Sequence, residues 1–278
     1  MKEIDGTSLN WPGPVRLILI TRVAGFMLHS NNLRLFVDFL SNNGYEIASL
    51  DEYGLMYRVR KGSFLKFLCS TDFNTSECSK LLKDKALTYI ALEQLNIKTP
   101  RGRYFWVSEH SDSIGEIISH LKKTDYPLVV KPNDSFQGQG ITILGKYNLE
   151  RAYKAIRKAL DFSHVLLVQE YLPGQEFRII AIEGEMLIGV MKYRNPRSPE
   201  EVPVIECGHF SEIVRASMKN LGALICGYDI VVNNGAATVL EMNSNPTVYP
   251  IREYLSAQTL GKYFSRLETI LRRNYGNN

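Results

Sequence analysis

Glu241 and Asn243 sit in "VLEMNSNPTV" (239–248), where an acid and an amide alternate with apolar residues before a proline ends the run. In a strand, alternate side chains share a face, so the two would point the same way, about 7 Å apart. Paired oxygen groups suit a hard cation such as Mg²⁺, which takes oxygen ligands and shares them with substrate phosphates. A solvated polar face on an edge strand would read the same over these ten residues. The wider segment "CGYDIVVNNGAATVLEMNSN" (226–245) adds Asp229, with an Asn-Gly turn midway to Glu241. A hairpin there carries Asp229, Glu241 and Asn243 to one end of one sheet face. Like charges facing each other destabilise a sheet unless a cation lies between them, which favours the metal reading.

Two further stretches could handle a phosphorylated ligand. "VVKPNDSFQGQGI" (129–141) follows a strand ending near Lys131 with a polar loop holding Ser135, Gly138 and Gly140. Its backbone N–H groups could close over phosphate oxygens, and glycine lets the backbone approach a ligand without a Cβ in the way. A plain hairpin turn would use the same glycines. "VQEYLPGQEFRI" (168–179) ends one strand in Gln169-Glu170, turns at Pro-Gly, and resumes with Glu176 and Arg178. Such a hinge could offer backbone groups to an adenine edge and an acid to sugar hydroxyls. An ordinary loop between strands fits as well.

Other candidates fail on chemistry. "GITILGKY" (140–147) matches GxxxxGK, but its spacers read as a strand and Tyr147 replaces the required Ser or Thr. "ECGHF" (206–210) lacks a fourth zinc ligand at usual spacing, and no GxSxG is present. The net charge of +4 is spread among mixed charges, so no basic stripe for nucleic acid is evident.

The elements that must position these groups follow from pattern. At 278 residues, 45% hydrophobic and 22% charged, the chain is an ordinary globular sequence with room for two or three subdomains. "VRLILI" (15–20) reads as a strand too short to span a membrane, a helix follows around 32–43 with Gly44 as its stop, and "YEIASL" is a second strand. A small α/β domain over roughly the first 80 residues is expected. Residues 79–96 read as one helix. Beyond "IKTPRG" come helix "EIISHLKK", strand "YPLVVKP", strand "ITILG" and a helix N-capped by Asn148. Hairpins turn at Glu183-Gly184 and Asn234-Gly235, separated by a helix over "SEIVRASMKNLGALIC", and a helix near 256–273 closes the chain. Cys69, Cys78, Cys207 and Cys226 show no CxxC spacing, so core thiols in a reducing cytoplasm are expected.

In this order the segments "DKALTYIALEQLNIKTP", "VVKPNDSFQGQG", "VQEYLPGQEFRI", "YDIV" and "LEMNSNP" resemble the ATP-grasp superfamily over about residues 79 to 255. Within it the chain is similar to the carboxylate–amine (peptide) ligases: cyanophycin synthetase, glutathione synthetase and the ligases that add glutamate to ribosomal protein or amino-acid carriers. The resemblance implies an α/β and α+β ATP-grasp fold. It comprises a short N-terminal α/β domain (1–85), a central lid subdomain (86–168) and a C-terminal subdomain with an antiparallel sheet (169–278). It implies ATP and Mg²⁺ (or Mn²⁺), a carboxylate substrate and an amine substrate (amino acid or peptide), no nucleic acid or membrane partner, and room for a homo-oligomer. Lys85, Lys131, Ser135, Gly138 and Gly140 would meet phosphates. Gln169 and the backbone of Glu170 and Leu172 would take adenine, and Glu176 the ribose. Asp229, Glu241 and Asn243 would hold the metal, and Lys192, Arg178 and Arg194 would face the γ-phosphate and acyl phosphate. An ATP-grasp kinase and a non-catalytic nucleotide-binding module share the same cleft. The chain departs from some ligases at Gly227, where they carry an arginine; Arg178 or Arg252 would have to replace it.

Overall fold

The computed structural model describes residues 31–108, 113–135, 138–192, 200–201 and 208–275. The expected strand at 15–20, Arg194, Glu206 and Cys207 lie outside the described residues.

The first described helix, α1 (residues 31–42), stops at Gly44 in the left-handed region (φ 81°), as the glycine signal predicts. A three-stranded antiparallel sheet follows: β1 (Glu46–Ser49), β2 (Tyr57–Lys61) and β3 (Phe64–Leu68). The helix expected over 79–96 is two helices, α2 (Ser76–Lys83) and α3 (Lys85–Gln94). Asp84 separates them: its backbone is extended (φ −94°, ψ 108°) and its side chain caps α3 by accepting from the Leu87 N–H. Apolar periodicity runs through the break, which hides it from pattern reading; the N-capping carboxylate marks it.

A four-stranded sheet in the order β4-β7-β5-β6 comes next, built from β4 (Gly102–Trp106), β5 (Leu128–Pro132), β6 (Thr142–Leu144) and β7 (Val165–Glu170). One face packs on α4 (Ser113–Lys123) and α5 (Leu149–Leu160), through Phe105, Ile117, Val130, Ala152, Ile156 and Val168. Asn148 caps α5, accepting from the Arg151 N–H at 2.9 Å. The other face carries Lys131 and Gln169, the alternate residues of β5 and β7.

The largest sheet has the order β10-β9-β8-β11-β12 and is antiparallel throughout. It comprises β8 (Gln175–Ile182), β9 (Glu185–Lys192), β10 (Glu200–Glu201), β11 (Ile225–Asn233) and β12 (Ala236–Asn243). Its hairpins turn where expected, with Glu183-Gly184 and Asn234-Gly235 all at positive φ, the primed-turn geometry. One face is buried under α2, α3 and α6 (Ser211–Leu221), with Ile179, Cys226, Tyr228, Val239 and Met242 at its centre. One end of the opposite face, with Ile180, Ile188, Val190 and Ile225, packs against α1 and the closing helix α7 (Ala257–Tyr275). The other end of that face is polar and lies beside α3 and the four-stranded sheet. Among the described residues no helix is long and apolar enough to cross a membrane.

Candidate active site

Four neighbouring strands put charged side chains on that polar end. Arg178 on β8 lies directly across from Asp229 on β11, and Glu176 on β8 lies across from Lys192 on β9. Asp229 in turn faces Glu241, and Gly227 faces Asn243, on β12. The two acids are brought together by an irregularity. From the Asn234-Gly235 turn the pairing runs Asn233 with Ala236 down to Ile230 with Val239, which would next set Asp229 against Leu240. Instead Leu240 is bulged out and Asp229 meets Glu241. The bulge also explains the core, since Val239 and Met242 lie three apart yet both enter the same buried cluster. An unbroken strand would put them on opposite faces. The carbonyl freed at Leu240 accepts from the Tyr89 hydroxyl, and the Val239 N–H donates to the Lys98 carbonyl at 2.9 Å.

The acids are paired with the protein's own cations. Arg178 donates to Asp229 through Nε at 2.9 Å and Nη2 at 2.8 Å, the bidentate fork. Lys192 Nζ lies 3.0 Å from Asp229 Oδ2 and 2.8 Å from Glu176 Oε1. Lys85 Nζ lies 3.4 Å from Glu241 Oε1 and donates to the carbonyls of Asn133 and Ser135, each at 3.3 Å. Burial would raise the Asp229 carboxyl, but Arg178 and Lys192 hold it well below the usual carboxylate range. Asp229 likewise holds Arg178 protonated despite burial. Lys131 donates to the Tyr89 hydroxyl at 2.8 Å; burial pushes its ammonium down to about 8, partly offset by Glu241 and Asp229. With Lys131 included, four cations face three carboxylates. The face therefore has a cationic surplus suited to a polyphosphate.

Glu241, Asp229 and Asn243 offer oxygen donors of the kind Mg²⁺ prefers, with two negative charges directly opposed. Among the described residues no three His, Cys, Asp and Glu side chains group as a metal site. A cation here would rely on the amide and on ligand oxygens, as Mg²⁺ commonly does. His209 makes a ring contact with Phe210.

At the hinge β7 ends at Glu170 and β8 resumes at Gln175, as the sequence reading has it. Gln169 is buried, with its Oε1 3.4 Å from the Tyr89 hydroxyl. Glu170 is clipped to Arg101: Arg101 N–H donates to Oε1 at 2.8 Å, and its guanidinium to Oε2 at 2.8 and 3.0 Å. The Glu170 N–H donates to the Arg101 carbonyl at 2.8 Å, so that amide is already engaged. Leu172 is half-buried just beyond. A cavity of about 380 Å³ opens beside the hinge between α3, β4 and β7, its walls including Tyr89, Ile90, Tyr104, Leu167 and Gln169. In the glycine loop, Gly138 is exposed at φ 73°, with open space where a Cβ would stand. Gly140 is buried at φ 74°, and a Cβ there would come within 2.8 Å of Phe162 and Pro132. Packing alone requires that glycine. At Gly227 a Cβ would meet Pro246 at 2.7 Å, which is why an arginine does not fit. Arg252 is turned to the Tyr249 carbonyl (2.7 Å) and Glu253 (3.2 Å).

A second polar cluster, which the sequence reading missed, begins one residue after Asn243. Asn32 donates to Thr71 at 2.9 Å, Thr71 to Asn245 Oδ1 at 2.8 Å, and the Val248 N–H to Asn32 Oδ1 at 2.9 Å. Ser244 and Ser79 hydroxyls both donate to Asp72 Oδ2, at 2.9 and 3.0 Å. Asn74 donates to the carbonyls of Ile225 and Ser244 and accepts from the N–H groups of Leu224 and Ile225. The partners of Asn74 lie 150 or more positions away from it, so no local spacing announces them.

The family model described as "RimK-like ATP-grasp domain" matches residues 82–263. A curated relative from Vibrio parahaemolyticus, "Probable alpha-L-glutamate ligase", is 25% identical over 268 residues, covering 86% of this chain and 85% of that protein. The "Glutathione biosynthesis bifunctional protein GshAB" of Enterococcus faecalis is 25% identical over 169 residues, 59% of this chain. The chain spans only 22% of that protein's length. Among solved structures, a D-alanine–D-alanine ligase from Bacillus anthracis complexed with ATP superposes with TM-score 0.56 at 20% identity, covering 72% of this chain and 68% of that one. That likeness shows the fold.

Proposed function

The chain belongs to the RimK-like ATP-grasp family, and from that premise we propose that it is an ATP-dependent ligase joining a carboxylate to an amine. The substrates would be amino acids or peptides. The observation that carries the reading is the β8–β9–β11–β12 face, where Asp229 and Glu241 oppose each other amid Arg178, Lys192, Lys85 and Lys131.

In this reading Asp229, Glu241 and Asn243 hold Mg²⁺ (or Mn²⁺), which supplies charge neutralisation over the phosphoryl oxygens of ATP. Lys131 and Lys85 meet the phosphates as point charges. The Lys192–Glu176 pair separates on binding, its ammonium turning to the γ-phosphate and its carboxylate to the ribose hydroxyls. Arg178, already paired in plane with Asp229, faces the acyl phosphate. A substrate carboxylate oxygen attacks the γ-phosphorus and ADP leaves; the amine then attacks the acyl carbon, loses a proton and expels phosphate. Ser135, Gly138 and Gly140 belong to the loop that closes over the phosphates and keeps water from the acyl phosphate. Gln169 and the backbone of Glu170 and Leu172 form the adenine end, beside the Arg101–Glu170 pair.

The test is hydroxylamine capture. Incubated with ATP, Mg²⁺ and a panel of amino acids and short peptides, the protein should convert an acid into its hydroxamate while releasing ADP. A stable phosphorylated hydroxyl product, with no hydroxamate from any acid, would replace the ligase by a kinase.

A further inference from the structure

Tyr89 joins the two sheets at a point that neither the metal residues nor the phosphate lysines explain. It lies on α3 one turn after Lys85, is buried, and carries a hydroxyl with a single proton. That proton is directed to the Leu240 carbonyl, the acceptor freed by the bulge in β12. With the proton so placed, the oxygen lone pairs turn toward Lys131, whose ammonium donates at 2.8 Å. Burial pushes the Tyr89 phenol up, so the hydroxyl stays a neutral donor to Leu240 and acceptor for Lys131 over the working pH range.

Lys131 needs such a partner. It is buried, and burial disfavours its charged form. The groups that bear on it are Tyr89 from α3, Asp229 from β11 and Glu241 from β12. The two acids are committed to Arg178, Lys192 and Lys85. The Tyr89 oxygen is the neutral acceptor that fixes where the ammonium points.

We propose that Tyr89 is a positioning residue for nucleotide binding: oriented by the Leu240 bulge carbonyl, it aims the Lys131 ammonium at the phosphates of ATP. The inference rests on the reading above only in taking Lys131 as a phosphate-binding lysine, and it is tested on binding rather than on amide formation.

The experiment is a calorimetric titration of ATP with Mg²⁺ into wild type, Tyr89→Phe, Lys131→Met and the double variant. Tyr89→Phe keeps the ring and removes the hydrogen bonds to Leu240 and from Lys131, together with the longer 3.4 Å contact to Gln169, and should raise the Kd for ATP about tenfold, the worth of a hydrogen bond to a charged group. In the Lys131→Met background the same change should cost less than about twofold. A second readout needs no lysine variant: the ratio of Kd for Tyr89→Phe to Kd for wild type, at about pH 6.5 and 8.5. Without its acceptor Lys131 gives up its proton at lower pH, so the ratio should grow with pH. Equal factors in both backgrounds, or a ratio flat with pH beside a lowered melting temperature, would make Tyr89 structural only and leave the ligase reading standing. Conversely, absence of any hydroxamate would remove the ligase reading and leave the Tyr89–Lys131 coupling intact. Failure of the wild type to bind ATP would overturn both.

Discussion

Two polar clusters meet at the end of β12, divided between Asn243 and Ser244, and they are built on opposite rules. The cluster of Asn32, Thr71, Asp72, Asn74, Ser244 and Asn245 has one ionisable member, and its groups bond to fixed backbone or side-chain partners. Its groups are hydrogen-bonded to one another and to the backbone, with an acid that has no cation against it among the described residues. The cluster of Glu176, Arg178, Lys192, Asp229, Glu241 and Lys85 is made of ion pairs, with Lys131 adding a further cation. Each of those charges can exchange its present partner for a metal ion or phosphate. The matched cluster locks the loop after β12 to the N-terminal part of the chain. The exchangeable one is what that locked strand presents.

The largest effect that could break this division is on turnover. Glu241→Gln keeps the shape and removes one charge, the ion-pair partner of Lys85. It should lower kcat by on the order of a thousandfold, the several kcal/mol that a lost metal ligand costs phosphoryl transfer. The thermal melt should move by a few degrees at most, because Glu241 is part-exposed. ADP release near the wild-type rate at ordinary Mg²⁺ would put the metal elsewhere. Asn74→Ala should do the reverse. It strands two carbonyls and two N–H groups below the surface, at about 3 kcal/mol, which lowers the melting temperature by roughly 6–12 °C while the folded fraction keeps its kcat. An unchanged melt would show that the matched cluster is incidental.

Proton affinity sharpens the comparison at a smaller scale. Lys131 sits at about 8 when folded, against roughly 10.4 for an unfolded lysine. Above pH 8 the native state holds fewer protons than the unfolded one, so this group makes the protein more stable as pH rises from about 8 to 10.4. Under the proposed role of Lys131, nucleotide binding runs the other way, because the phosphates would need the charged ammonium. The Kd for ATP should therefore climb several-fold between pH 7 and 9, and Lys131→Met should flatten that rise. A wild-type Kd constant over this range would remove Lys131 from the phosphate site.

Much of the fold was legible because its punctuation is local. Gly44, Glu183-Gly184, Asn234-Gly235 and the Asn148 cap each act over a few residues. What escaped depends on distance. The hairpin of β2 and β3 lies in a stretch where an α/β pattern gives no cue to it, and the break at Asp84 interrupts an apolar pattern that reads as continuous. The bulge at Leu240 leaves no mark in the sequence, since it is decided by which of Val239 to Met242 can be buried. Types and spacing suggested Asp229, Glu241 and Asn243 as neighbours, but not the bulge that aligns them nor the cations already seated against the acids. The pairing of Glu170 with Arg101 needed the hinge to be folded.

The smallest effect tests the boundary itself. Ser244 and Ser79 donate to the same Asp72 oxygen, at 2.9 and 3.0 Å, so either loss leaves that oxygen one donor. Ser244→Ala should cost about 1 kcal/mol. Ser79→Ala should cost less, about 0.5 kcal/mol, because alanine is the better helix former and Ser79 lies within α2. The two differ in what they adjoin: Ser244 follows Asn243 directly, whereas Ser79 is anchored in a helix. If the division between the clusters holds, both variants soften the melt slightly and neither changes the Mg²⁺ concentration that gives half-maximal ADP release. A shift confined to Ser244→Ala would mean that the loop passes strain through Asn243 into the metal face. The matched cluster would then tune the exchangeable one instead of only anchoring it.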